Sequence, residues 1–281
     1  MSTIKVRSGV TTPEQAQHWA YQSMLVPHEM FRMFDEWIME YVVHNPSFDP
    51  AQYPWKAVNF STWWSKYYYT NLHHHHDIEE QILYPELKKL GVPVVDETLD
   101  DHVPLLKGMD DISQHLKKYR SVASDVAQVD EWTATLKAFL KAHCELMHKH
   151  LDEEEREWCP LIEKHLTLKQ YKAVENKILA SLSAEASANM IPGILEAMAD
   201  WGGPTQVNAF LGQLPKYLPP VRGWATGPWE NKYRSMQRQY IVTLKDNQDP
   251  QIVEPKGCCG GGQITPPPPP PPRPARGPPR A

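Results

Sequence analysis

The chain has 281 residues, of which 41% are hydrophobic and 22% charged, and its formal net charge is −5. This composition predicts a globular protein with one large core, and it gives no basis for nucleic-acid binding, because affinity for phosphates requires concentrated lysine and arginine. No apolar run approaches the roughly 20 residues that span a bilayer, and the polar opening Met1–Lys5 lacks the apolar core of a signal peptide. We therefore expect a cytoplasmic protein without a transmembrane segment.

The first predicted helix begins at the pattern Thr12-Pro13-Glu14-Gln15, which is typical of a capping box with proline at the first helical position. Apolar residues at helical spacing carry this helix to about Val43. Pro27 should either kink the helix or mark its restart. A loop containing three prolines is predicted over 44–54.

Three more long helices are predicted before residue 166. They cover about 61–90, from Asp96 or Asp100 to about Tyr119, and from a cap at Asp130 to His165. The first of the three should end at Gly91 and Pro93. Four helices without an alternating strand pattern pack most simply as a bundle, so we predict an all-α fold with an up-down four-helix bundle over residues 13–166.

Helical periodicity continues after the predicted bundle, over 168–182, 188–201, 205–214 and 230–244. We predict that residues 167–244 form a helical extension that packs on the bundle. Residues 245–281 contain Cys258, Cys259 and the proline run Pro266–Pro272, a composition that cannot form a packed core. A disordered, flexible tail is the simplest interpretation, and lipidation of the cysteines or a polyproline-binding partner stays open.

Histidine is the unusual residue type, with 13 copies, whereas the four cysteines form neither a disulfide framework nor a CxxC zinc pattern. His75 precedes Glu79 by four residues, which places both side chains on one face of a helix. His150 and Glu154 repeat this pair 75 positions later. Such a repeat predicts two half-sites that face each other.

The repeat also shows which histidine of the run His73–His76 has a counterpart in the second pair. A shift of 75 pairs His76 with Leu151, so only His75 has a counterpart. The helix before each pair carries one further histidine, His28 or His102. We thus predict a metal site of four imidazoles and two carboxylates, a donor set that suits two transition-metal ions. The predicted ligands are His28, His75, Glu79, His102, His150 and Glu154.

These motifs resemble the hemerythrin-like, or HHE cation-binding, family. The resemblance covers about residues 14–165 and includes Glu80 with Pro85 and Glu155 with Pro160, which follow the two pairs at equal spacing. It implies a non-haem di-iron centre, with the four histidines as terminal ligands and the two glutamates as bridges. An oxide or hydroxide bridge between the two iron ions would reduce their remaining positive charge.

Two positions depart from the oxygen-carrying hemerythrins, which have a second histidine one turn after the first on the third helix. Here that position is Leu106, and Glu154 stands where they end the motif with aspartate. These differences favour a protein that senses or handles iron, oxygen or nitric oxide over an oxygen carrier. A di-iron enzyme that reduces nitric oxide or peroxide or donates iron for cluster repair is an alternative, as is a zinc-binding or interaction module. The sequence favours a binding protein over an enzyme.

The other histidines have less specific interpretations. His76 could be an additional or alternative ligand to His75, and His143 could reach the metal or line the core, with lining favoured. Tyr68 could donate to a bound ligand but is more simply a core residue. His73 and His74 are predicted at the helix surface or beside the ligands. The remaining histidines are predicted to be solvent-facing or capping: His18, His44, His115, His148 and His165.

Overall fold

The computed structural model of the protein describes residues 5–93, 102–213, 237–250 and 252. All regular elements of these residues are helices, which confirms the predicted all-α class. Several predictions fall outside the described residues: the start of the third helix near Asp96 or Asp100, the first part of the helix at 230–244, and nearly all of the tail. Within the described ranges, no helix combines the length and apolarity needed to cross a membrane.

Helix α1 spans Trp19–Ile38 and continues as a π-helical turn over Met39–Val43. The reciprocal hydrogen bonds of the predicted capping box are present, but they close a short 3-10 turn, so the prediction that α1 begins at Thr12 is wrong. Pro27 lies inside α1 without ending it. Because proline cannot donate to the carbonyl four residues earlier, Ser23 O is left to accept from the Tyr171 hydroxyl at 3.5 Å.

The second helical segment runs without a break from Pro54 to Lys89, starting seven residues before its predicted start. It consists of α2 (Pro54–Trp63), α3 (Thr70–Ile78) and α4 (Tyr84–Lys89), joined by π-helical turns over Trp64–Tyr69 and Glu79–Leu83. It ends as predicted at Gly91, whose φ of +83° is the left-handed conformation that glycine adopts without strain.

Helix α5 covers His102–Val122 and α6 covers Val126–His165. The cap of α6 is Asp125 and not the predicted Asp130, because Asp125 has an extended backbone and its side chain accepts from Gln128 N at 3.2 Å. Helix α6 packs against both α1 and α5. These long helices enclose a core rich in aromatic side chains, including Phe31, Trp64 and Trp158.

Within residues 168–213, three helices follow: α7 (Leu168–Ser181), α8 (Ala184–Trp201) and α9 (Gly203–Gln213). Helix α8 lies against α1 at Gly193, where an added Cβ would stand 2.8 Å from Met30 Sδ and 3.1 Å from Phe34 Cζ. Helices α7 to α9 also share a small apolar cluster of their own. It comprises Ile191 and Leu195 with Leu179, Val207, Phe210 and Leu211.

The N-terminal segment Lys5–Thr11 contacts both α1 and α8. Lys5 N donates to Trp201 O at 2.9 Å. The Arg7 side chain forms ion pairs with Glu29 and Glu36 of α1 and with Asp200 of α8. This N-terminal segment therefore joins α1 to α8.

Candidate metal centre

Two groups of buried histidine and glutamate side chains lie between the long helices. The three-histidine group consists of His76, His102 and His150, and the mixed group consists of His28, His75, Glu79 and Glu154. Within each group, one nitrogen or oxygen atom from every residue lies within 4.8 Å of the others. All six predicted ligands are present, and His76 is the seventh member.

Four separate helical segments supply these side chains. His28 comes from α1, His102 from α5, and His150 and Glu154 from α6. His75 and His76 lie in the last turn of α3, and Glu79 begins the π-helical turn that follows. Turns of π-helix are rare and often mark functional sites, and this one joins the ligand-bearing α3 to α4.

The two carboxylates of the mixed group also lie close to histidines of the three-histidine group. Glu154 Oε2 is 3.4 Å from both His28 Nε2 and His150 Nε2, whereas its Oε1 is 3.6 Å from His102 Nε2. Glu79 Oε1 is 3.3 Å from His75 Nε2, and its Oε2 is 3.8 Å from His102 Nε2. Each carboxylate therefore contacts histidines of both groups, as a bridging carboxylate would.

The distances between the donor atoms suit metal coordination better than they suit hydrogen bonds between the side chains. Two metal–ligand bonds of about 2.1 Å at roughly right angles place their donors about 3.0 Å apart, and wider angles increase that distance. Among the described residues, His28 Nε2, His75 Nε2 and both oxygens of Glu79 have no hydrogen-bond partner, although they are buried. Buried polar atoms without partners are costly, and metal coordination would remove this cost.

The second glutamate of each repeated pair orients a histidine from another helix. Glu155 Oε1 lies 3.0 Å from His28 Nδ1, and Glu80 Oε1 lies 3.0 Å from His102 Nδ1. An ionised carboxylate can only accept, so Nδ1 of each ring carries the hydrogen and Nε2 presents its lone pair to the site. The repeat of Glu80 and Glu155 in the sequence therefore has a structural cause.

Glu155 has several further partners. Arg32 Nη1 donates to Glu155 Oε1 at 2.6 Å, and the hydroxyls of Ser8 and Thr11 donate to Oε2 at 2.5 and 2.7 Å. Burial alone would raise the pKa of Glu155, but His28 and Arg32 outweigh it and lower the pKa to about 2. The N-terminal segment thus helps to hold the charged carboxylate that orients His28.

The two candidate bridging carboxylates differ in their surroundings. The Tyr84 hydroxyl donates to Glu154 Oε1 at 2.6 Å, whereas the repeat places Cys159 at the corresponding position of the other half. Burial opposes ionisation of Glu154, but His150, His102 and His28 lower its pKa well below the ordinary value. Burial and the nearby Glu154 raise the pKa of Glu79 well above it. A metal cation is the partner that would favour both charges.

The histidines of the site also fall into two kinds. Burial lowers the pKa of His75 and His76 well below 6.5, helped by neighbouring imidazoles. Burial has the same effect at His28 and His102, but contacts with Glu154 and the orienting glutamates outweigh it and raise the pKa of both. His75 and His76 are therefore held neutral, which is the form that binds metals.

Comparison with known proteins gives a match over the same helices. The family model described as Hemerythrin HHE cation binding domain matches residues 29–162. We refer to residues 29–162 as the HHE domain. The match confirms the predicted resemblance, and the family description together with the buried His/Glu groups indicates metal binding. Searches of curated proteins and of solved structures gave no match.

His76 is the residue of the HHE domain that the repeat alone did not select. Its ring is buried and stacks on His102, with centroids 4.3 Å apart and planes 21° apart. It is also 5.5 Å, centroid to centroid, from the His150 ring. Leu106, where a histidine is expected from the resemblance, is not part of the group. Helix α3 therefore brings the imidazole that α5 lacks.

His143 and Tyr68 form a separate buried contact within the HHE domain. The Tyr68 hydroxyl donates to Asp35 Oδ1 at 2.6 Å and lies 3.0 Å from His143 Nε2. Since the hydroxyl has one hydrogen and gives it to the carboxylate, Nε2–H of His143 donates to Tyr68. His143 thus lines the core, as the sequence favoured, and Tyr68 is a core residue.

His115 contradicts its prediction as a solvent-facing or capping residue. It is 8% exposed and stacks on Trp132 at 5.3 Å. His115 Nε2 donates to Trp132 O at 2.8 Å, and Trp132 Nε1 donates to His115 O at 2.9 Å. Its place in the apolar periodicity of α5, one residue before Leu116, was the signal in the sequence.

Proposed function

We propose that the HHE domain holds two non-haem iron ions joined by an oxide or hydroxide bridge, and that this centre binds a small diatomic ligand, oxygen or nitric oxide. The observation that carries the proposal is the position of Glu79 and Glu154, whose carboxylates each lie within 4 Å of histidine nitrogens from both the three-histidine group and the mixed group. Imidazole and carboxylate together suit iron. When bound, the iron ions supply a redox-active centre.

The protein residues would contribute unequally to the two positions. With Glu79 and Glu154 shared as bridges, the three-histidine group would have five protein donors and the mixed group four. An octahedral ion at the mixed group would therefore have more room for an external ligand. Phe31 is fully buried and packs on His75 with ring centroids 5.1 Å apart, which excludes water from this side.

The sensing role is favoured over reversible transport by the absence of a histidine at Leu106 and by Glu154 in place of aspartate. We also propose that the four long helical segments form an up-down bundle over 13–166, and that 167–244 forms its extension. The packing of α6 against α1 and α5 supports this arrangement.

The metal content of the purified protein, with its absorption spectrum in air and after reduction, tests the proposal. We expect about two iron ions per chain and an oxo-bridge band in the near ultraviolet that disappears on reduction. The double variant Glu79→Ala and Glu154→Ala should lose the iron. A matched double variant, Asp77→Ala and Glu153→Ala, removes two carboxylates from the same segments outside the groups and should keep it.

The reduced protein should form a reversible adduct with oxygen or nitric oxide in stopped-flow measurements. Continuous consumption of nitric oxide or peroxide would instead identify an enzyme. Full occupancy by zinc, with no band in air after expression in iron-rich medium, would contradict the di-iron proposal and indicate a zinc-binding module.

A further inference from the structure

A large apolar cavity lies between the HHE domain and helices α7 to α9. Its volume is about 380 Å³. Its walls come from α1, α3, α7, α8 and α9, and they are mostly aliphatic and aromatic, with Met24, Ile78, Tyr171, Met190 and Ile194 among them. Residues of both apolar clusters line the cavity: Met24 and Tyr171 belong to the main core, and Ile191 belongs to the small cluster.

The inner end of this cavity is the candidate metal centre. His75 and Glu79 both line it, and both belong to the mixed group, which would have fewer protein donors if both carboxylates bridge. Among the described residues that line the cavity, none belongs to the three-histidine group. A molecule inside the cavity therefore faces the position that has room for an external ligand.

The volume far exceeds the need of a diatomic ligand. A single water occupies about 30 Å³ in the liquid, and a diatomic molecule is of similar size. Sites for small organic ligands span about 300–1,000 Å³, and the cavity falls in this range. Its mostly apolar wall offers few hydrogen-bond partners to a group of waters, so it suits a hydrocarbon chain better than it suits water.

The charges along the cavity indicate the polar end of the ligand. At the outer side, Lys172 forms an ion pair with Glu175, so the opposite charges at the rim compensate each other. At the inner side, two divalent cations with Glu79, Glu154 and a hydroxide bridge would keep a net positive charge. An anionic group at the inner end would reduce that charge.

We propose that this cavity binds an aliphatic carboxylic acid, with its chain against α1, α7 and α8 and its carboxylate toward His75 and Glu79. The direction of the carboxylate rests on the metal centre proposed above. The site for the hydrocarbon chain does not depend on the metal, because its walls are formed by the protein and most of the side chains in them are apolar.

Isothermal titration of the full-length protein with decanoate tests this assignment. We expect one decanoate per chain. The metal-free protein should bind it through the chain alone, and iron loading should strengthen binding of decanoate without changing that of decanol. Each methylene removed should weaken binding about fourfold, the factor that corresponds to about 0.8 kcal/mol per buried methylene.

Two neighbouring positions of α9 provide matched variants. Ala209 is exposed and lines the cavity, whereas Asn208 is exposed and does not. Ala209→Trp places an indole at the opening and should weaken decanoate binding at least tenfold, and Asn208→Trp should leave it unchanged. Both variants should keep the iron content of the parent protein.

Three outcomes would overturn the proposal: no decanoate binding to the metal-free protein, no dependence on chain length, or equal effects of the two tryptophan variants. Loss of chain binding with normal iron content would remove this inference and leave the metal centre in place. Normal binding of the decanoate hydrocarbon chain to a protein that does not take up iron would contradict the metal centre and leave this inference in place. Decanoate binding that iron does not strengthen would overturn the assigned direction of the carboxylate.

Discussion

At the scale of single residues, His76 shows how the two halves of the centre differ. The repeat pairs it with Leu151, an apolar residue of α6 that is fully buried. His76 is equally buried but stacks on His102 in the three-histidine group. One half of the repeat therefore offers two adjacent imidazoles and the other offers one, and the extra imidazole would make the two proposed metal positions unequal.

Replacing His76 by leucine should remove one metal ion and leave the other. Leucine is the residue that the repeat has at this place, and it suits a site that is 1% exposed, so the fold should persist. We expect metal analysis to find about one ion per chain in place of two. The matched variant is His74→Leu, which changes a half-buried histidine two positions away and should keep both ions. Retention of two ions by His76→Leu would show that His76 is not a ligand.

Six of the seven residues could be predicted from the sequence to form one site, because the i to i+4 spacing and the 75-residue repeat are properties of the chain itself. It was not sufficient to include His76. Adjacent residues on an ideal helix point about 100° apart, so two neighbouring histidines are not expected to reach one site. The donors of His75 and His76 serve different groups, a distinction that exists only once four helices are packed.

At the scale of elements, the close approach of α8 to α1 depends on Gly193. A Cβ there would lie 2.8 Å from Met30 Sδ and 3.1 Å from Phe34 Cζ, both closer than ordinary contacts. Met30 and Phe34 are fully buried residues of α1, the helix that also carries His28. The distance between α8 and the centre is thus set partly by a missing side chain.

Gly193→Ala should lower the free energy of unfolding by about 1 kcal/mol. The overpacking cost of about 1–3 kcal/mol exceeds the gain of about 1 kcal/mol from better helix propensity. Gly212→Ala, on α9, meets no atom within 4 Å and should be neutral or stabilising. Denaturant unfolding of both variants measures the difference. Equal effects at the two positions would show that Met30 and Phe34 move away at no cost.

Element boundaries were predicted where local chemistry alone decides them. Thr167 and Gln170 form the capping box that starts α7, and Gly91 ends α4. Errors arose where local signals compete. Asp125 and Asp130 are both possible caps, and only the backbone of Asp125 is extended. Pro27 signals an interruption, but packing keeps α1 continuous.

At the scale of the whole molecule, stability should depend on pH through His143. Burial lowers the pKa of this histidine below 6.5, and the nearby Asp35 only partly opposes that effect. The unfolded chain takes up a proton at His143 near pH 6.5, whereas the folded protein does so only at lower pH. The stability that comes from a neutral His143 is therefore fully present above pH 6.5 and is lost as the pH falls below it.

We expect the difference in unfolding free energy between the wild type and His143→Gln to change by up to about 1.4 kcal/mol per pH unit below 6.5. Glutamine keeps an N–H donor for Tyr68 but does not titrate. Contributions from the metal ligands are common to both proteins and cancel in the difference. Parallel stability curves from pH 7.5 down to 5 would contradict this assignment.

The contacts that hold Glu155 also bear on how the protein folds. His28 and Glu155 are 127 positions apart, and Ser8 and Thr11 are 147 and 144 positions from it. Contacts of such long range form late, because a large loop must close first. The centre should therefore be complete only after the transition state for folding. Added iron should then slow unfolding in stopped-flow experiments and leave the refolding rate unchanged, whereas faster refolding with iron would show that metal helps to assemble the helices.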